Sequence, residues 1–235
     1  SKDVSRNMNW QEVKSIAAQL LDPTALMQSL ILNGNIFIRT FTFLSTFTLF
    51  TSLSAAMGAD ILADNALLLQ IVTLAAYFID GLAYATESFI GVFLGEGNKD
   101  KFLPLLGIAG GMSLLIGLGL ALSCALIPEQ VFGILTNHQQ VLTGLHQFVW
   151  WLLPVLGFGS LAFMLDGYFL GLAAGATLRN TALIATCVGF VPGAIVAWVL
   201  HSPDILWLSM MLFMGARALL LVIRVPKTLV ASDMT

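Results

Sequence analysis

Charge is scarce in this chain. Only 10% of its 235 residues are Asp, Glu, Lys or Arg, against 58% hydrophobic, which is too little polar surface to coat a water-soluble fold of this length. A soluble reading is therefore excluded. The net charge is −3 and no basic patch is present, so nothing in the chain is suited to holding nucleic acid. Cysteine is nearly absent. Cys124 and Cys187 each fall in an apolar segment, where thiols serve as small packing residues more often than as disulfide partners. Enzyme motifs are missing as well. His138, His146 and His201 lack paired metal-ligand spacing, GFGS at 157–160 does not match a nucleophile elbow, and no phosphate-binding loop occurs. A non-enzymatic protein without a cofactor is expected.

Long apolar runs, by contrast, are plentiful. Six can be read, roughly 24–57, 66–94, 102–127, 141–172, 178–200 and 205–225, each long enough to cross a hydrocarbon core of ~30 Å at ~1.5 Å per residue. Before them, residues 8–21 place Trp10, Val13, Ala17, Leu20 and Leu21 on one face and Gln11, Glu12 and Lys14 on the other, the pattern of an interfacial amphipathic helix. The first apolar run is not expected to be a signal peptide, because a long mixed polar stretch precedes it and no small-residue cleavage site follows a short apolar core. The organisation expected is a connector over 1–22, a six-helix body over 23–226 and a tail over 227–235. Unbroken to Met57, the first helix would exceed one crossing, so a bend or interfacial turn is expected near Asn33, Gly34 and Asn35.

The basic residues fix an orientation. Lys2, Arg6, Lys14, Lys99, Lys101, Arg179, Arg224 and Lys227 all lie at connections on one side of the alternating spans. The opposite connections, 58–65, 128–140 and 201–204, carry none. Lys and Arg are retained in the cytoplasm, so both termini are expected there, in a multi-pass protein of the plasma (inner) membrane. Only Arg39 and Arg217 fall well inside apolar runs, and Arg217, about two turns from Arg224, has two ways to avoid lipid: snorkelling toward the headgroups or pairing with a buried acid.

Acids inside apolar runs carry the functional signal. Asp80 and Glu87 lie in the second run and Asp166 in the fourth. A carboxylate at membrane depth costs several kcal/mol, so such groups face a cavity, pair with a cation or carry a proton. Asp80 and Glu87 are seven residues apart and return to one helix face, with Tyr77, Tyr84, Ser88 and Gly91 on or beside it. Two readings stand for these acids: exchange of a cation as a cavity opens alternately to each side, or a static internal ion pair with Arg39 or Arg217. In the first run, Thr40, Thr42, Ser45, Thr46, Thr48, Thr51, Ser52 and Ser54 are interleaved with five phenylalanines. Hydroxyls can bond back to their own helix, but so dense a run points to a wet cavity lined for amphipathic organic ligands. Gly91 and Gly95, and Gly167, Gly171 and Gly175, recur every four residues, a spacing for close helix approach. Pro154 and Pro192 are expected to kink their spans.

The runs LNGNIFIRTFTF at 32–43, ADNALLLQI at 63–71, FIDGLAYATESFIG at 78–91 and LDGYFLGLAAGATLRNT at 165–181 resemble, in order and spacing, the DinF-like branch of the MATE (multidrug and toxic compound extrusion) transporters. The resemblance implies an all-α membrane protein whose six transmembrane helices form the carboxy-terminal lobe of a twelve-helix transporter, with an amino-terminal six-helix lobe as partner. It implies export of small organic compounds, often cationic or amphipathic, in exchange for H⁺ or Na⁺ by alternating access across the lipid bilayer. Carried onto this chain, it assigns Asp166, Asp80, Glu87 and Arg39, with Asn35 and Tyr84, to the coupling or substrate cavity. Arg179 and Asn180 are assigned to a gate or loop. A non-transporting six-helix partner subunit is one alternative; half of a flippase for lipid-linked substrates, which a long row of cavity arginines would favour, is another.

The orientation is open to direct test. Single cysteines replacing Lys99 and Asn137, in a background lacking Cys124 and Cys187, are expected to react with a membrane-impermeant thiol reagent from opposite sides of the membrane. Labelling of both from one side would overturn the topology.

Overall fold

A computed structural model describes residues 23–133 and 139–230. The amphipathic stretch at 8–21 and the rest of the expected connector lie outside the described residues. The elements are α1 (Pro23–Met57), α2 (Ala59–Gly95), a 3₁₀ turn (Lys99–Lys101), α3 (Phe102–Leu126), α4 (Pro128–Phe132) and α5 (Gln139–Phe148). A second 3₁₀ turn (Val149–Trp151) leads to α6 (Leu152–Gly171), followed by α7 (Gly175–Ile184), a π-helical segment (Ala185–Phe190), α8 (Val191–Leu200), α9 (Pro203–Val222) and α10 (Val225–Val230). Six stretches among these are long and apolar enough to cross a membrane.

Two helices differ from what hydropathy alone suggests. The second begins at Ala59, not near 66, because the turn after α1 consumes one residue, Gly58, at φ 140°. Asp64 and Asn65, which hydropathy assigns to a polar connection, are therefore buried helical residues. Asn65 donates from Nδ2 to Ser54 Oγ at 2.8 Å and accepts from Trp207 Nε1 at 2.8 Å, while Ser54 Oγ donates to Phe50 O at 2.9 Å. With no water inside a bilayer, polar groups must be satisfied within the protein, and this relay ties α1, α2 and α9 together while meeting that demand. The second difference is in α1, which runs as uninterrupted α-helix through Asn33, Gly34 and Asn35.

α6 is the axis of the body. It packs against α2, α3 and α9, and its span is the most buried of the six. The close approach to α2 depends on Gly167 and Gly171: a Cβ at the first would lie 2.1 Å from the Ala83 carbonyl oxygen, and at the second 2.6 Å from that of Glu87. Gly91 and Gly95 share the four-residue spacing, but a Cβ at either would meet nothing within 4 Å, so this second glycine pair is not a packing seam among the described residues. α1 leans on α2 and α7, and the segment from Ala185 to Leu200 packs on α9. Outward faces carry large apolar side chains such as Leu115, Val188 and Val199, as a lipid-facing surface requires.

Turns and prolines explain the remaining breaks. After α2, Asn98 N–H donates to Phe93 O at 2.9 Å and Gly97 N–H to Leu94 O at 3.2 Å, with Gly97 at φ 73°, the paired bonds of a Schellman stop. The same pattern ends α6 with Ala173 at φ 53°, while α8 closes at His201, φ 49°, with the N–H groups of both His201 and Ser202 donating to the Ala197 carbonyl. Pro154 follows the second 3₁₀ turn by three residues and Pro192 follows the π segment by two. Proline cannot donate its N–H and crowds the carbonyl four residues earlier, and a locally altered helix relieves that conflict.

Substituting Gly167 by alanine is expected to lower the detergent melting temperature, by the equivalent of about 1–3 kcal/mol for overpacking. Gly91→Ala, in open space, is expected to melt as the parent does. Equal melting of the two variants would remove Gly167 from the α2–α6 seam.

Candidate functional site

Where α1, α2 and α6 face one another, they leave a cavity of about 410 Å³. Its walls combine rings and ionisable groups: Phe43 and Phe47 on α1, Tyr77 and Tyr84 on α2, and Phe163 on α6, together with Arg39, Asp80, Glu87 and Asp166. Five of the six residues that the resemblance assigns to the coupling or substrate cavity thus line it, namely Arg39, Asp80, Tyr84, Glu87 and Asp166. The periodicity that placed Asp80 and Glu87 on one face of α2 brings both onto the same wall. Ser88 and Gly91 do not line it, and the Ser88 hydroxyl instead donates to the Tyr84 carbonyl at 2.9 Å.

Asp166 is only 3% exposed. Its Oδ2 accepts from Nη2 of Arg39 on α1 and from Nη2 of Arg217 on α9, so one carboxylate joins three helices. Arg217 is 1% exposed, which decides between its two readings in favour of the internal pair and against snorkelling: a paired carboxylate there replaces the hydration that snorkelling would recover. Its guanidinium carbon also stands 5.0 Å from the Phe43 ring centre and 5.7 Å from that of Phe163, where the ring faces attract a cation. The three groups carry a net charge of +1. Asp166 Oδ1, Arg39 Nε and Arg217 Nε and Nη1 have no hydrogen-bond partner among the described residues.

Asp80 and Glu87 differ from Asp166 in kind. Both are only half-buried, and among the described residues neither has an ion pair. Asp80 nevertheless lies within electrostatic reach of Arg39, Asp166 and Arg217. With all five groups ionised, the two arginines and three acids sum to −1, and one bound monovalent cation would bring the site to neutrality.

Asn35, Arg179 and Asn180 form a separate cluster. Arg179 donates from Nη1 to Asn35 Oδ1 at 2.8 Å and from Nε to Asn180 Oδ1 at 3.0 Å, linking α1 to α7 one turn from Arg39. Asn35 is therefore placed beside Arg179 and not in the cavity wall. Most hydroxyls of α1 behave as their chemistry allows in lipid: Thr42, Thr46, Thr48, Thr51, Ser52 and Ser54 each donate to the carbonyl four residues earlier. Thr40 lines the cavity, and Thr46 also reaches Thr186 in the π segment at 3.1 Å. For Arg217 the sequence leaves two readings open, snorkelling or a static pair with a buried acid, and the structure selects the pair, with Asp166.

Comparison with known proteins places this geometry in context. Residues 36–199 match the MatE family, a stretch that contains all three acids. The chain is 29% identical over 192 residues to DNA damage-inducible protein F of Escherichia coli K12, covering 81% of this chain and 41% of that protein. It is 26% identical over 196 residues to Protein DETOXIFICATION 45, chloroplastic, of Arabidopsis thaliana, covering 78% of this chain and 33% of that protein. The chain thus spans less than half the length of either relative.

The shared carboxylate makes a stability prediction. Asp166→Asn strands two guanidiniums and is expected to cost about 3–5 kcal/mol, whereas adding Arg217→Met is expected to recover most of that loss, because it removes the fully buried one of the two stranded cations and leaves only the partly exposed Arg39. Thermal melting in detergent decides: a single variant as stable as the parent would mean that the pairing does not hold the three helices.

Proposed function

The chain belongs to the MatE family, and from that premise we propose that it forms one six-helix lobe, the carboxy-terminal one, of a secondary active efflux antiporter. The lobe works against a second six-helix body and exports small organic compounds, often cationic or amphipathic, in exchange for H⁺ or Na⁺. The observation that carries this reading is the cavity whose wall sets Asp80 and Glu87, which have no ion pair among the described residues, beside aromatic rings. Acids supply a seat for a cation at a depth where an uncompensated charge is expensive, and the rings of Tyr77, Tyr84, Phe43 and Phe47 offer both apolar area and attraction for organic cations. Both arginines are occupied by Asp166, and no row of free guanidiniums faces the cavity among the described residues, which supports an efflux pump over a flippase for anionic lipid-linked substrates.

Antiport needs the cavity to be open to one side at a time. On a single lobe, Tyr77 and Tyr84 are left 71% and 65% exposed, so a second body is required to cover this face and gate it. The basic bias of one set of connections supports cytoplasmic termini and residence in the plasma (inner) membrane. The Arg179–Asn35 link between α1 and α7 fits a closing element at the cytoplasmic end.

Two measurements test the proposal. The 235 residues reconstituted alone are expected to give no ion-coupled flux, while vesicles containing the product of the complete gene extrude a cationic dye when a pH or Na⁺ gradient is imposed. In the latter, Asp80→Asn combined with Glu87→Gln is expected to abolish gradient-driven efflux without lowering the melting temperature, since amides keep the shape and remove costly charges. Undiminished efflux from that double variant would sink the assignment of the cavity.

A further inference from the structure

Three acids share the cavity, but their surroundings do not equip them for the same task. Asp166 is buried on the most enclosed span and is held on one oxygen by two guanidiniums. Neutralising it, by a proton or by any other cation, would leave Arg39 and Arg217 without a counter-ion in the membrane interior, so its charge is expensive to cancel at any stage of a cycle. Asp80 is half-buried, lines the same cavity and has no ion pair among the described residues. It can take up and release a cation without breaking a contact. The side chain of Arg39 is 21% exposed, unlike that of Arg217 at 1%, so Arg39 is the one of the two guanidiniums with room to move into the cavity.

We propose, on the footing of the antiporter reading, that Asp80 and not Asp166 is the carboxyl of this lobe on which the coupling cation exchanges, and that Arg39 is a positioning residue passed between the two. With a cation on Asp80, Arg39 rests on Asp166, as in this structure. When the cation leaves, the bare Asp80 carboxylate competes for Arg39 and draws it from α6 toward α2, while Arg217 alone continues to neutralise Asp166. Arg39 on α1 and Asp166 on α6 line the same cavity as Asp80, as do Tyr77, Tyr84 and Glu87 on its own helix, and Arg217 on α9 stands behind Asp166, near enough for its charge to be felt. Charges on α1, α6 and α9 therefore all act on this one carboxyl. Glu87, two turns along the wall, has no ion pair with either guanidinium and serves the organic cation instead. For a proton, the step is closed: an O–H bond forms on Asp80 with a proton from one side of the membrane and breaks to the other. For Na⁺, the ion replaces that proton and Arg39 moves in the same way.

Infrared difference spectroscopy on the purified product of the complete gene, in lipid, reads the carboxyl directly. Stepping pH at fixed Na⁺, then Na⁺ at fixed pH, is expected to reveal one carboxyl signal that comes and goes with whichever ion couples. That signal is lost in Asp80→Asn and kept both in Glu87→Gln and in the charge-neutral pair Asp166→Asn with Arg217→Met, which also guards against a simple folding failure. In vesicles, Asp80→Asn is expected to lose gradient-driven dye efflux, and Asp80→Glu to restore it with a displaced pH profile. Arg39→Gln is expected to keep the carboxyl signal but move the ion concentration at which it appears, a change that a purely structural arginine would not produce. A signal that survives Asp80→Asn, or that vanishes with Asp166 or Glu87, overturns the proposal. Absence of any gradient-driven efflux from the parent protein would count against the antiporter reading itself, and the infrared signal would still decide between Asp80 and Asp166.

Discussion

One carboxylate oxygen holds the site together. Asp166 Oδ2 receives guanidinium donors from α1 and α9 while its own helix, α6, forms the axis on which α2, α3 and α9 pack. In water such a contact would contribute little, because solvent competes for each charge. Inside a membrane the alternative is a naked ion, and the geometry of three helices becomes conditional on that oxygen staying charged. The close seam between α2 and α6 at Gly167 lies one residue away, so the position of the cavity wall and the position of its buried charge are fixed by the same turn of helix.

Away from that centre, polar groups are made safe by two simpler devices. Hydroxyls of α1 bond back into their own backbone, and a short relay from Phe50 through Ser54 and Asn65 to Trp207 closes the opposite end of the body. Trp207 is fully buried with its ring 4.9 Å from that of Phe50, which supplies the apolar area that the amide alone would lack. The Tyr168 hydroxyl, two residues after Asp166, reaches Thr228 of α10 at 2.6 Å and fastens the last helix beneath the axis. Among the described residues near this centre, the acids without an ion pair face the cavity, where a mobile cation can compensate them.

Much of this is legible in the sequence. Six apolar runs, the seven-residue spacing of Asp80 and Glu87, and the scarcity of deep charges all follow from transfer energetics and helical period, which are local properties. What escapes the sequence depends on a neighbour. Hydropathy begins the second helix too late because Asp64 and Asn65 are polar, yet Asn65 is supplied with partners from α1 and α9 that are 11 and 142 positions away. Spacing does not separate Gly167 from Gly91, since only the former meets another backbone. Arg217 is left undecided for the same reason: a charged side chain near a helix end has two ways to avoid lipid, and choosing between them requires knowing that Asp166 stands opposite.

The single-residue turn at Gly58 has a mechanical consequence. With no slack between α1 and α2, and with the Ser54–Asn65 bond joining them beside the turn, the two helices are coupled at that end, so a tilt of one there would carry the other with it. Arms of this length extend about 50 Å, so a tilt of about 5° at the pivot displaces their far tips by about 4 Å. A small change of angle at the bend would thereby be enlarged in proportion to helix length by the time it reached the opposite ends.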